Sequence, residues 1–161
     1  MTAGEGYRSL DAQALLARLE SEEAELDFDG FGLDTAWELG SRLRAVAIER
    51  GHGIACAVVL GEQRVFHAAV PGSAAVNDAW LERKFRVVAH YGRSTLAVRA
   101  QYLADGMTFE THSALDPLRY TAAGGAFPIR VRGALAGAVG VSGLEMHDDH
   151  ALVVEVLRSI V

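Results

Sequence analysis

The sequence has one cysteine, Cys56. A lone thiol excludes an internal disulfide and a multi-cysteine metal site. Cys56 lies in an apolar run and reads as a buried structural thiol rather than a reactive one. No apolar run reaches the ~20 residues that a membrane span needs. No basic stretch followed by an apolar one opens the chain, so no signal peptide is expected and the expected location is cytoplasmic. Lysine and arginine are not in excess: the net charge is −6. Phosphate contacts need clustered cations, so no nucleic-acid partner is expected. Internal repeats and low-complexity stretches are missing as well.

Familiar catalytic signatures are equally scarce. There is no HExxH or Cys-His zinc pattern, no P-loop and no dinucleotide fingerprint. Ser142 lacks the flanking glycines of a nucleophile elbow and reads as a strand-end residue. Asp148 and Asp149 suit a helix start rather than an acid/base pair. With no nucleophile, base and orienting group in a recognisable pattern, a hydrolase is the least supported reading, and whether the chain is an enzyme stays open.

What is present is apolar: half of the 161 residues, enough for one domain with a full core. Periodicity gives the order α-(β)-α-β-β-α-α-β-β-β-α. A first helix capped by Ser9 or Asp11 carries Leu15, Leu16 and Leu19. Residues 21–25 read as an acidic linker and 25–28 as a short strand. Asp34 caps a second helix that Gly51 stops. Residues 54–60 and 63–70 pair across the Gly61-Glu62 turn. Asn77 or Asp78 caps a third helix through Tyr91, and Ser94 caps a fourth ending at Gly106. Residues 107–112 read as a strand. Two more strand-like runs meet at Arg132-Gly133, and a last helix starts near Asp148 with Val153, Val156, Leu157 and Ile160 buried. Tight hairpins require antiparallel pairing. The expected fold is therefore α+β: an antiparallel sheet of about five strands flanked by helices.

Some residues break the pattern. On a helical wheel Trp80, Leu81, Phe85, Val87, Val88 and Tyr91 fill one apolar arc, with Lys84 near its middle. A charge there is costly unless paired or solvated. Either its stem snorkels, or its ammonium pairs with a carboxylate at a subunit contact, or it is held for an anionic ligand group. Arg83 and Arg86 flank it towards the polar edge. The Gly124-Gly125 amides are candidates to face a phosphate or carboxylate, against the alternative of a plain turn. Glycines repeated in residues 134–142 mark a place where a backbone or ligand comes close. His147 and His150, three apart, can share a helix face, although no third metal ligand is evident. His90, His112 and His150 are candidates for a lone axial haem ligand.

The run AAGGAFPIRVRGALAGAVGVSGLEMHDDH resembles the signature of the HbpS/GlcG-like, or haem-degrading, domain. The segment AWLERKFRVVAHYGRST resembles one uncharacterised branch of that superfamily, through Trp80, Arg83, Lys84 and Ser94, with Tyr120, Gly124, Gly125, Phe127 and Pro128 further on. The resemblance covers about residues 30–161, leaving residues 1–29 as an N-terminal helix and linker. It implies a profilin-like or PAS-like antiparallel sheet assembled into dimers or larger homo-oligomers. Some relatives bind haem. Two functions follow as expectations. In the first, the domain binds haem or another flat anionic cofactor. Lys84, Arg83 and the Gly124-Gly125 amides hold carboxylates, while Trp80, Tyr91, Tyr120 or Phe127 forms the wall. One of His90, His112 or His150 ligates iron. In the second, the chain is a non-catalytic, homo-oligomeric interaction module.

Overall fold

The computed structural model describes residues 2–161. One five-stranded sheet runs in the order β1-β4-β5-β2-β3. Its strands are β1 (Asp27–Phe28), β2 (Ala55–Leu60), β3 (Gln63–Ala69), β4 (Ala126–Val131) and β5 (Ala134–Ser142). Every pair is antiparallel except β1 with β4, which is parallel. No hairpin joins β1 to β4, so nothing forces that edge pair to be antiparallel. Leu60 pairs with Gln63 across a two-residue turn whose first residue, Gly61, has φ 56°. At the second hairpin Arg132 (φ 50°) and Gly133 (φ 82°) both take the left-handed conformation of a type I′ turn. The Asp27 carboxylate accepts from the Gly133 amide at 3.0 Å and ties that turn to β1.

The two sheet faces differ in side-chain size, and that difference places the helices. Cys56, Val58, Ile129, Val139 and Val141 face α3 (Leu33–Arg50) and α7 (Met146–Arg158) in the main core. Ala55, Ala57, Ala126 and Ala138 face α4 (Ala75–Tyr91), which lays Leu81, Phe85 and Val88 onto them. A Cβ on Gly140 would stand 3.0 Å from the Phe85 ring, so the small residues of β5 admit this helix. Cys56 is fully buried, and burial pushes its thiol up to about 12, out of reach of thiolate chemistry. Among the described residues no helix is long and apolar enough to cross a membrane.

Several local expectations are corrected. Residues 21–25 are not a linker: they finish α2 (Ala12–Glu25), which packs on α5 (Thr95–Ala104) through Leu15, Leu19, Leu96, Ala97 and Ala100. Residues 107–112 are not a strand. The Thr108 hydroxyl accepts from the Thr111 amide and starts a one-turn helix, α6 (Phe109–His112), with Phe109 buried. Helix α4 begins at Ala75, and Asn77 acts from inside its first turn by accepting from the Ala74 amide at 2.9 Å. Helix α3 begins at Leu33, with Asp34 in its first turn rather than at its cap. Helix α7 begins at Met146, capped by Glu145.

Candidate functional site

Lys84 is buried, at 2% exposure, at the centre of the α4 face that lies on the sheet. Its stem reaches the end of β5 and the first turn of α7. Nζ donates to the Val141 carbonyl oxygen at 2.9 Å and to Asp149 Oδ2 at 3.0 Å. Asp149 Oδ1 accepts from the Leu144 amide at 3.0 Å. The partner of Lys84 is thus a carboxylate of its own chain. Two of the three ammonium N–H groups are engaged in these bonds.

The double glycine makes room for this pair. A Cβ on Gly125 would stand 2.6 Å from Lys84 Nζ, and its φ is +129°. A Cβ on Gly124 would stand 2.5 Å from the Met146 carbonyl oxygen. Clearance for the ammonium and for the start of α7 therefore accounts for both glycines. Gly125→Ala is expected to lower stability by about 2–4 kcal/mol, from strain and overpacking together. Urea unfolding reads this, and a variant as stable as wild type contradicts it.

Burial controls the electrostatics of the pair. Loss of water pulls the Lys84 pKa down, against the opposing pull of the Asp149 carboxylate. Loss of water also lifts Asp149 to about 6, although the Lys84 ammonium and the Leu144 amide work the other way. The two shifts draw the proton affinities of the pair towards each other.

A cavity of about 320 Å³ opens over Lys84, lined among others by Asn77, Trp80, Ser142, Met146 and Asp149. Trp80 is 37% exposed and forms its wall. The Arg83 guanidinium lies 4.5 Å over the Trp80 ring and donates to the Pro117 carbonyl oxygen at 2.8 Å. A larger groove of about 610 Å³ lies between α4 and the hairpin end of the sheet, where β2 turns into β3 and β5 begins, walled by Val59, Phe85 and Leu135. There Arg64 and Glu82 pair with each other on the rim.

Of the residues singled out by sequence, Trp80 and Lys84 meet at the cavity, with Arg83 stacked behind Trp80. Phe127 is buried beside His150, with ring centroids 5.9 Å apart. Tyr120 stands near His90, 6.0 Å between ring centroids. Tyr91 pairs its hydroxyl with that of Tyr102 at 3.0 Å. The histidines do not converge. His90 is exposed at the end of α4, and His112 is exposed with Nδ1 accepting from the Thr108 amide at 3.1 Å. His147 turns to Glu145 at 2.7 Å, and His150 Nε2 turns to Glu22 at 3.2 Å.

Two partners escaped the sequence reading, Asp149 and Glu22. Both carried a signal. Asp149 precedes Leu152, Val153 and Val156 at helical spacing, so it lies on the buried stripe of α7. Glu22 continues the Leu15–Leu19 stripe of α2. It accepts from the Tyr7 hydroxyl at 2.7 Å and from Arg18 Nε at 3.2 Å. These bonds and His150 join two N-terminal helices, the one-turn α1 (Glu5–Arg8) that carries Tyr7 and α2, to α7.

Haem would need an iron ligand and cations for its propionates. Neither His90, His112 nor His150 lines the cavity over Lys84, so an iron there would find no histidine ligand. The side chains here do not fit an iron-ligated haem.

A family model described as "Haem degrading protein HbpS-like" matches residues 31–158. A UPF0303 protein of Streptomyces avermitilis is 48% identical over 144 residues, covering 89% of this chain and 88% of the relative. One from Streptomyces coelicolor is 48% identical, covering 91% and 93%. Among solved structures, the Ybr137w protein superposes with a TM-score of 0.82 at 25% identity, covering 89% of this chain and 86% of that one. HbpS superposes at 0.64 with 16% identity, covering 81% and 89%, and a PduOC:heme complex at 0.68 with 14% identity, covering 81% and 95%. The last two show likeness of fold. The α+β sheet, the family model and the close relatives agree: the chain belongs to the HbpS-like family, among its UPF0303 proteins.

Proposed function

We propose that this chain is a small-molecule-binding protein whose ligand sits over Lys84, with an acceptor oxygen on the ammonium and a flat face against Trp80. The observation that carries this reading is a buried lysine among the residues that line a cavity, with two of its three N–H donors engaged. The cavity lies at the small end of the range for ligand sites. It suits a compact carboxylate better than a macrocycle. Haem comes into question through the family description and the PduOC:heme relative. A propionate is a carboxylate of the kind Lys84 would accept, but the iron would find no histidine there.

Fluorescence separates these ligands. In a Trp37→Phe background, benzoate is expected to change Trp80 emission saturably, and Lys84→Met to abolish the change. Saturable haem binding that survives Lys84→Met but is lost in His90→Ala, His112→Ala or His150→Ala would place the ligand elsewhere and overturn this reading.

A second reading, homo-oligomer formation, is favoured by exposed apolar residues beside the cavity mouth. Val76 (59% exposed) and Trp80 share a face of α4, and Leu118 (84%) follows the Pro117 carbonyl that Arg83 holds. Light scattering at micromolar concentration tests it. Assembly is expected, to be weakened by Val76→Asp with Leu118→Asp, and a strictly monomeric wild type contradicts it.

A further inference from the structure

We propose that Lys84 is an imine-forming amine and that the cavity over it takes a compact aldehyde or ketone. This rests on the reading that a small oxygen-bearing ligand occupies the cavity, and it adds that the ligand has an electrophilic carbonyl carbon. The fifteen basic side chains are fourteen arginines and one lysine, Lys84. Surface ion pairs are made by arginine: Arg8, Arg42, Arg50, Arg64, Arg93 and Arg99 each face a carboxylate. The one side-chain amine is kept for a buried position at a cavity floor. A guanidinium stays protonated in a protein and is no nucleophile, whereas an ammonium out of water can give up its proton.

The neighbours of Lys84 supply what the reaction needs. Asp149 Oδ2, 3.0 Å from Nζ, can take the proton and return it. Burial lowers the Lys84 pKa and lifts that of Asp149, which brings the two proton affinities together. Stability alone is a weak reason to keep such a pair, because replacing a buried ion pair by apolar side chains is often neutral or stabilising.

The step balances without an added reagent. The ammonium passes one proton to Asp149. The freed nitrogen lone pair attacks the carbonyl carbon, and the C=O π pair moves to oxygen. That oxygen takes a proton from nitrogen and gives a carbinolamine. Asp149 returns its proton to the hydroxyl, the C–O bond breaks, water leaves, and the nitrogen lone pair closes the C=N bond. One ammonium and one carbonyl become one iminium and one water, and Asp149 ends as it began.

Reductive trapping tests this on the full chain. The protein is incubated with benzaldehyde or pyruvate and cyanoborohydride, and the adduct is located by fragment mass spectrometry. The expected result is one adduct per chain at Lys84, formed saturably and suppressed by excess benzoate. Lys84→Arg, which keeps the charge, is expected to give none. Asp149→Asn is expected to slow trapping about a hundredfold, as loss of a proton relay does. Fragment mass spectrometry separates Lys84, the one side-chain amine, from the α-amine, so competition by benzoate at Lys84 in the wild type decides the matter even where a variant fails to fold. Trapping no faster than at a lysine in an unfolded peptide, with benzoate still changing Trp80 emission, overturns the imine and leaves the ligand site standing. If neither aldehyde nor benzoate acts on the protein, both readings fall.

Discussion

Lys84→Met is expected to destabilise the protein by about 3–5 kcal/mol at pH 7, because it strands the Asp149 carboxylate without its cation. Asp149 is 2% exposed and keeps only backbone amides when the ammonium is gone. The loss should shrink near pH 4, where Asp149 takes up a proton and no bare charge is left. The sign follows from the wild-type pair. Burial lifts Asp149 from an ordinary 3.8 to about 6, so the folded state holds the extra proton between those values. Its contribution to stability therefore falls as pH rises from 3.8 to 6. Replacing both partners, Lys84→Met with Asp149→Leu, should restore most of the loss while abolishing ligand binding. Urea unfolding at pH 4 and pH 7 reads all of these. A single Lys84→Met variant with a wild-type midpoint at pH 7 contradicts the pairing.

Glu22→Ala is expected to release the N-terminal helices from α7 and to cost about 2–4 kcal/mol. It removes the acceptor of the Tyr7 hydroxyl and of His150 Nε2, both buried, and among the described residues His150 Nδ1 has no partner to compensate. Burial raises the Glu22 pKa, but His150, Tyr7 and Arg18 outweigh it and hold the group below its ordinary 4.5. A depressed carboxylate contributes stability above 4.5 that is lost as pH falls through the folded value. Acid therefore loosens this junction while it relieves Asp149. Limited proteolysis and hydrogen exchange check the point. Cleavage before β1 should appear in Glu22→Ala at pH 7 and in wild type only in acid. Equal protection of α2 in variant and wild type contradicts it.

The helices and hairpins were legible because their signals are local. Gly51 and Gly92 stop α3 and α4 in left-handed conformations, and two-residue turns fix both hairpins. Residues 107–112 misled because Phe109 and Met107 alternate with polar residues over too short a span to separate a strand from a one-turn helix capped by Thr108. Residues 21–25 misled because their acidity resembles a linker, while helical spacing carries Glu22 onto a buried stripe. At the site, the wheel found Lys84 as a charge in an apolar arc. Its partner lies 65 positions later on another helix, a pairing that periodicity on either helix alone cannot assign. The glycine pair was noticed for its amides, whereas its use comes from the atoms of Lys84 and α7 that stand where its Cβ atoms would be.

The most direct measurement is the side-chain nitrogen resonance of Lys84 in protein labelled with 15N-lysine. One lysine gives one signal, and burial shields its protons from exchange with solvent. A small ligand over Lys84 should move that signal saturably as benzoate is added, with the shift lost in Trp80→Ala where the wall is gone. A signal that stays fixed through the titration while resonances elsewhere on the molecule shift would contradict Lys84 as the floor of a ligand site.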